Sequence, residues 1–440
     1  MSNRVKRFVR PEIFLIAVNL FCAVVGLVQT LVVAATLGAP AYAVIGILVA
    51  MASFILNFWD VRLFDLAMRL LVQAPPDGQE PAIYRKSVAQ LTLVFSAAIV
   101  LLAAATSMLV ATFSVHLFVD QPVALRWIVA QAMLTATASL LGTVFALQRL
   151  TERFYAFGAA RIVHQILGSG VVLGSIWLFP NLDGYFAGAI IAAFGNLVGA
   201  LVVLDRLWAS RHGVRLISRA SGLALPAYRQ SWRFILGGTV IGYGKMIHRW
   251  SDVLMIGYFT SDQVTGVYRL ARTVADGLQI MTDALSQYYF PVLVRLRAER
   301  RLSEFWRAAR RLAVIAAAVT VPSVAGALVI VPPLAAYYLP AFDGIATALA
   351  ILILPFLVIC GVHLWLWPLL VERGEIGHFA ALSILAALVQ TGVTAALLAW
   401  IWPSAAAGSL GYVSYYVVIY PAVLIMLMRR RTSPGVATAR

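Results

Sequence analysis

Twelve separate stretches of this 440-residue chain are apolar over about twenty residues or more, the length at which an α-helix crosses the hydrocarbon core of a bilayer. They lie near 11–37, 40–68, 87–115, 123–147, 160–179, 185–207, 233–258, 264–291, 309–331, 343–369, 379–401 and 405–428. Inside hydrocarbon every backbone N–H and C=O must find its partner within the protein, and at this length the helix is the form that satisfies them. The expected fold is therefore an all-α polytopic membrane protein with about twelve transmembrane helices. Composition agrees: 62% of the residues are hydrophobic and the mean hydropathy is +0.89, whereas soluble domains are nearer half apolar. Several runs exceed about 25 residues, so they tilt, kink or project from the bilayer.

The net charge of +16 invites a nucleic-acid partner, but its distribution excludes one. Lys and Arg occur at the N-terminus (Arg4, Lys6, Arg7, Arg10) and after runs 2, 4, 6, 8 and 12. The alternate loops 36–41, 115–122, 179–186, 258–265, 332–343 and 402–407 hold neither. This is the positive-inside pattern, and it places both termini and every basic loop in the cytoplasm. An even helix count agrees. The first run is long and has no small-residue cleavage site, so it reads as a retained helix. Cys22 and Cys360 fall inside apolar runs and suggest neither a disulfide nor a metal framework.

The longest polar interval between runs is 208–232, almost midway. It divides the chain into an N-terminal six-helix lobe (1–207) and a C-terminal six-helix lobe (233–428), followed by a basic tail (429–440). Six is even, so the lobes share one orientation, as in transporters built from parallel repeats. Leu37-Gly38-Ala39-Pro40 with Ile45-Gly46 resembles Phe259-Thr260-Ser261-Asp262 with Thr265-Gly266, each the first outer turn of its half. The Arg-rich stretch 295–311 reads as an interfacial helix against anionic headgroups, or else as a docking face for a cytosolic partner.

Runs 7 and 8 break the apolar pattern on one face each. In run 8, Arg269, Arg272, Asp276, Gln279, Asp283 and Gln287 recur at spacings of three and four, which aligns them on a helix. In run 7, Lys245, Arg249 and Asp252 do the same. A charge at mid-membrane costs roughly 2.5–3.5 kcal/mol even on insertion scales, so these faces line a protein interior. Lys245 and Asp276 fall near mid-depth. Arg249, Arg269 and Arg272 lie further out, and Asp283 and Gln287 lie towards the cytoplasm. Four cations outnumber three acids, which suits an anionic substrate. Lys245, Arg249, Arg269 and Arg272 are thus the candidate substrate-binding residues. Asp252, Asp276, Asp283, Gln279 and Gln287 are candidates for ion coupling or cavity lining. The competing reading is structural, with Arg249–Asp252 and Arg272–Asp276 as helix-to-helix ion pairs. The first half offers no matching mid-membrane cation; its helix 1 contributes only Asn19 and Gln29, and Arg126 reads as snorkelling to the interface. Gly237, Gly238, Gly242 and Gly244 at the start of run 7 serve either close packing or a hinge.

Enzyme signatures are missing. The chain has no Walker loop, no HExxH, no paired-cysteine site and no G-x-S-x-G elbow. The connecting loops are short, where a membrane polymerase or ligase needs a catalytic loop of some size. The expectation is a transporter with no cofactor and no metal, not an enzyme.

One stretch carries a resemblance. Ser251-Asp252-Val253-Leu254-Met255-Ile256-Gly257-Tyr258-Phe259, then Val264-Thr265-Gly266-Val267-Tyr268-Arg269-Leu270-Ala271, then Phe290-Pro291, is similar to the pattern of the Wzx-type O-antigen flippases. These are polysaccharide transporters of the multidrug/oligosaccharidyl-lipid/polysaccharide exporter (MOP) superfamily. The resemblance implies two lobes around a central cavity and alternating access. It implies movement of undecaprenyl-diphosphate-linked oligosaccharide from the inner to the outer leaflet of the bacterial cytoplasmic membrane, with proton or sodium coupling as an accompaniment. Partners would be the lipid-linked oligosaccharide, membrane lipids and other polysaccharide assembly proteins. The alternatives are a multidrug or small-molecule cation antiporter of the same superfamily and, from another class, a polysaccharide polymerase or ligase.

Overall fold

The computed structural model describes residues 11–59, 63–72, 80–151, 153–218, 224–230, 232–299, 301–357 and 376–429. Among them there is no strand. In chain order the helices are α1 (Pro11–Trp59), α2 (Leu63–Val72), α3 (Pro81–Ser114), α4 (Leu125–Leu150), α5 (Phe154–Leu178), α6 (Leu182–His212), α7 (Leu225–Gln230), α8 (Trp232–Phe259), α9 (Asp262–Ala298), α10 (Leu302–Tyr338), α11 (Ile345–Leu357), α12 (Ile376–Ala396) and α13 (Ala405–Arg429).

Eight helices among the described residues are long and apolar enough to cross a membrane. Three features account for the difference from the expected twelve. First, α1 holds two spans, joined at Gly38, whose φ of 77° is a left-handed conformation open mainly to glycine. Pro40 follows immediately, where the second span begins and a missing N–H costs little. Second, α8 and α9 have the length but carry the charged faces. Third, α11 leads into 358–369, outside the described residues. Cys360, Asp60, Arg62, the N-terminal cations and the tail 430–440 are outside them too, as are the side chains of Asp65 and Arg69.

Helices α1 and α3–α6 pack together as one lobe, and α8–α10, α12 and α13 as the other. The midpoint interval is folded rather than extended. Helix α6 continues to His212 and ends on Gly213 at φ 72°. The following segment is tied to α3, where Gln90 Nε2 donates to the carbonyls of Leu216 (2.8 Å) and Ser218 (3.0 Å). Helix α7 then seats Tyr228 against Thr92, with 2.6 Å between their hydroxyls. The interval is therefore an appendage of the first lobe. A second correction concerns 295–311. Arg295 and Arg297 belong to the end of α9 and Arg307, Arg310 and Arg311 to the start of α10, with no separate helix between them among the described residues. There Arg301 pairs with Glu299 and Glu304.

Exposed aromatic side chains mark the end of the molecule whose loops carry no Lys or Arg. Trp177, Phe179, Tyr337, Tyr338, Trp400 and Trp402 all project there, as residues of a membrane–water interface do.

The lobes meet chiefly through α1, which packs on both α8 and α9. Contact is tightest at that same arginine-free end. A Cβ on Gly266 would stand 2.1 Å from the Ala39 carbonyl oxygen, so only glycine lets the two outer turns touch. These are the two turns that resemble each other in sequence. Gly257 likewise faces the Phe118 carbonyl, and the Arg269 stem lies across Gly46. Two aspartates clasp the seam reciprocally. Asp262 of the second lobe accepts from the backbone N–H groups of Asp120 (3.1 Å) and Gln121 (3.3 Å), while Asp120 accepts from the N–H of Asp262 (3.3 Å). Asp120 thereby satisfies an orphan donor at the start of α9. Burial raises the Asp262 carboxyl above its usual value, and the charge of Asp120 adds to the rise against these backbone bonds. At the basic end Phe58 and Tyr243 stack at 5.5 Å.

The clasp yields a prediction. Asp262→Ala leaves two donors without their acceptor and should cost about 1–3 kcal/mol of lobe-to-lobe closure. Distances between spin labels on the 115–121 loop and on the α8–α9 turn should then broaden towards longer values. An unchanged distribution would show that the glycine contacts alone close this end.

Candidate functional site

The charged faces of α8 and α9 resolve into two populations. One is buried and satisfied inside the second lobe. Asp252 is fully buried; its Oδ1 accepts from the Val253 N–H (2.9 Å) and its Oδ2 accepts from the Tyr268 hydroxyl. Arg272, 2% exposed, lies 3.7 Å from that carboxylate through Nε and 3.5 Å from Asp276 through Nη2. Its guanidinium carbon sits 3.7 Å over the ring of Tyr412. A lone buried charge costs several kcal/mol, and a compensating neighbour is what makes it tolerable. Spacing alone brings Arg272 to Asp276, at i and i+4. The second tie, to Asp252 at the longer distance, spans two helices.

The network continues through α12 and α13. Tyr412 and Tyr416 hydroxyls are 2.8 Å apart, Tyr416 lies 3.1 Å from His248 Nε2, and His248 Nδ1 lies 2.6 Å from Gln390 Oε1. Gln390 Nε2 donates to the His248 carbonyl (3.0 Å), so its Oε1 must accept from Nδ1–H. The other ring nitrogen, Nε2, shares a hydrogen bond with the Tyr416 hydroxyl. The imidazole also stacks on Tyr415 at 3.6 Å. His248 is thus a packed residue. Tyr412, Tyr415, Tyr416 and Gln390 were not among the expected site residues. The signal for them is the spacing of the tyrosines at 412, 415, 416 and 420, which gives α13 one polar aromatic face.

The other population is unpaired. Arg249 is exposed and Arg269 half-buried, and each guanidinium carbon lies 5.7 Å from the ring centre of the same residue, Trp250. Neither arginine joins an ion pair among the described residues. The structure therefore brings two of the four expected cations together and diverts a third, Arg272, to a structural pair. The expected Arg249–Asp252 pair does not form among the described residues, because Asp252 turns to Tyr268 and Arg272. The side chains of Lys245, Asp283 and Gln287 lie outside the described residues. Asp276 is 21% exposed and its Oδ1 has no hydrogen bond; Gln279 is half-buried. Of the glycines, Gly244 presses on Ser383 and the Ile384 N–H of α12, so close packing accounts for it, whereas Gly242 faces open space. Gly237 and Gly238 lie in α8.

The first lobe is less bare of charge than hydropathy suggested. Helix α5 begins at Phe154, ahead of the apolar run, which places Arg161 about 10 Å along it. Its Nη1 donates to Asn19 of α1, and Ser169 donates to Gln29 (2.7 Å). Arg126 does not snorkel freely: its Nε and Nη2 grip Asp183 at 2.7 and 2.9 Å.

No protein-family model matches the chain. A probable flippase of Haloferax volcanii, AglR, is 23% identical over 188 residues, covering 43% of this chain and 37% of that protein. The match thus spans well under half of either. Structural likeness is broader. An inward-facing multidrug resistance transporter of the MATE family and MOP superfamily superposes over 96% of this chain and 100% of its own, with a TM-score of 0.66 at 14% identity. A Vibrio cholerae MATE transporter does so over 96% and 97%, with a TM-score of 0.59 at 14% identity. The fold is that of these transporter structures. Its two lobes meet along the seam between α1 and α8–α9, and the unpaired arginines stand beside that seam.

The two populations respond differently to mutation. Arg272→Met strands Asp252 in the second lobe and should cost about 3–5 kcal/mol. Arg249→Gln, at an exposed position, should change stability by no more than about 0.5 kcal/mol. Thermal unfolding in detergent compares them, and equal losses would contradict the division.

Proposed function

We propose that the chain is a flippase for a lipid-linked oligosaccharide carried on undecaprenyl diphosphate. It moves this substrate from the inner to the outer leaflet of a bacterial cytoplasmic membrane by alternating access, with both termini cytoplasmic. The oligosaccharide is a unit of a surface polysaccharide such as O-antigen, capsule or exopolysaccharide, and other polysaccharide assembly proteins act beside it. The observation that carries the reading is the gathering of Arg249 and Arg269 around Trp250 with no carboxylate among the described residues to neutralise them. Guanidinium groups suit phosphate oxygens in geometry and charge. Lys245, from the same face of α8, completes the cationic set. The lipid tail stays in the bilayer while the sugar crosses between the lobes, which rock about the seam with α8 bending at Gly242. The relative described as a probable flippase supports movement of a lipid between leaflets.

Ion coupling falls to Asp276 in this account, since its side chain is 21% exposed and its Oδ1, 3.5 Å from Arg272, accepts no hydrogen bond. Asp252 is already engaged. A second reading, a multidrug antiporter, draws on the described activity of the structural neighbour. A cationic drug would meet two unneutralised arginines, which weighs against it.

A strain lacking the protein, probed for lipid-linked oligosaccharide, separates the readings. The intermediate should accumulate on the cytoplasmic face. Wild type should clear it, and Arg249→Ala/Arg269→Ala should fail to. No accumulation, with increased sensitivity to cationic drugs, would favour the antiporter.

A further inference from the structure

Trp250 lies between the two unpaired arginines, and its own polar atom is also unmet. The indole Nε1–H is buried and has no hydrogen-bond acceptor. A buried donor left without a partner is costly and calls for an explanation. Two other tryptophans, Trp59 and Trp208, share the condition, but Trp208 is enclosed by the apolar cluster of Val144, Leu147 and Leu204 and has no cation described against it. At Trp250 the surroundings differ. Arg249, its chain neighbour on α8, and Arg269, from α9, both hold their guanidinium carbons 5.7 Å from its ring. The Arg269 stem also lies across Gly46 of the first lobe, so the indole stands where α8 and α9 meet the seam. Around one ring there are two cations and one N–H donor, with no acceptor among the described residues. Two like charges held against one ring repel, and an anion with several oxygens relieves that repulsion while accepting from all three groups.

We propose that Trp250 is a ligand-binding residue whose indole N–H donates to a phosphate oxygen of the substrate, while its ring sets the positions of the Arg249 and Arg269 guanidiniums around the same group. The proposal rests on the anionic-substrate reading above and names the atom that distinguishes this site from a merely cationic patch. A tetrahedral phosphate or diphosphate presents oxygens in three directions, which suits a donor between two guanidiniums. The phosphate could come from a lipid-linked diphosphate or from free pyrophosphate, and the two probes below tell these apart.

The test is calorimetric titration of the full-length protein in detergent with inorganic pyrophosphate and, separately, with a polyprenyl diphosphate. Wild type is compared with Trp250→Phe, which keeps a ring for the arginines and removes the donor, and with Trp208→Phe as the control for an orphaned N–H elsewhere. The proposal expects Trp250→Phe to weaken binding about tenfold, the loss expected for one hydrogen bond to a charged group, with the melting temperature held and Trp208→Phe unchanged. If Trp250→Phe melts early, replacement by benzothienylalanine, which keeps the indole shape without the N–H, gives the same comparison. Binding of the lipid form alone, with the same tenfold loss, supports the proposal and assigns the phosphate to the lipid. Equal affinity of wild type and Trp250→Phe overturns the proposal and leaves the anionic reading standing. A parallel loss in Trp208→Phe overturns it as a packing effect. If wild type binds neither probe, the proposal and the anionic reading fall together.

Discussion

A charge in hydrocarbon must be matched by the protein or turned away from lipid, and α9 carries more polar groups along one face than any lipid-facing helix could bear. That constraint organises the second lobe. Helices α8, α12 and α13 bring Asp252, His248, Gln390 and Tyr412 to the same interior, so that Arg272 is enclosed with its carboxylate and an aromatic face. With the buried pair closed, Arg249 and Arg269 join no ion pair among the described residues. These two give the site its cationic character.

The seam between lobes obeys a second constraint, close approach without a side chain. Gly266 against the Ala39 carbonyl, and Gly257 against the Phe118 carbonyl, let backbones meet where a methyl group would not fit. Carboxylates then supply polar contacts that such apolar surfaces lack. Asp120 and Asp262 each satisfy donors of the opposite lobe, and water can replace both partners when the seam parts. Contacts of this kind close one end firmly without making its opening prohibitive, which is what a transporter that alternates between two faces requires.

Much of the fold was legible because hydropathy reports burial in lipid directly. Twelve apolar runs were enough to read the all-helical class. The boundaries erred where polar residues belong to helices: Arg161 lies inside α5 although it sits at the edge of an apolar run, and Arg295, Arg297, Arg307, Arg310 and Arg311 ride on the ends of α9 and α10. The site was half legible. Spacing showed that Arg269, Arg272 and Asp276 share a face, but not that Arg272 also meets Asp252, which reaches it from another helix. Nothing local to Trp250 marks it, because its importance comes from Arg269, nineteen positions further along and on a different helix. The tyrosines of α13 had a pattern, but their partners His248 and Gln390 are separated from one another by more than a hundred residues.

The central claim is that the unpaired arginines hold the anionic link of a lipid while its sugar crosses. The most direct test is reconstitution in liposomes carrying a lipid-linked oligosaccharide, with the fraction exposed on the outer leaflet followed by a membrane-impermeant glycosidase. Wild-type protein should bring nearly all of the substrate within reach of the enzyme. Arg249→Gln/Arg269→Gln should leave about half protected, as in protein-free vesicles with the substrate in both leaflets. Full exposure by the double variant, at the wild-type rate, would contradict the account.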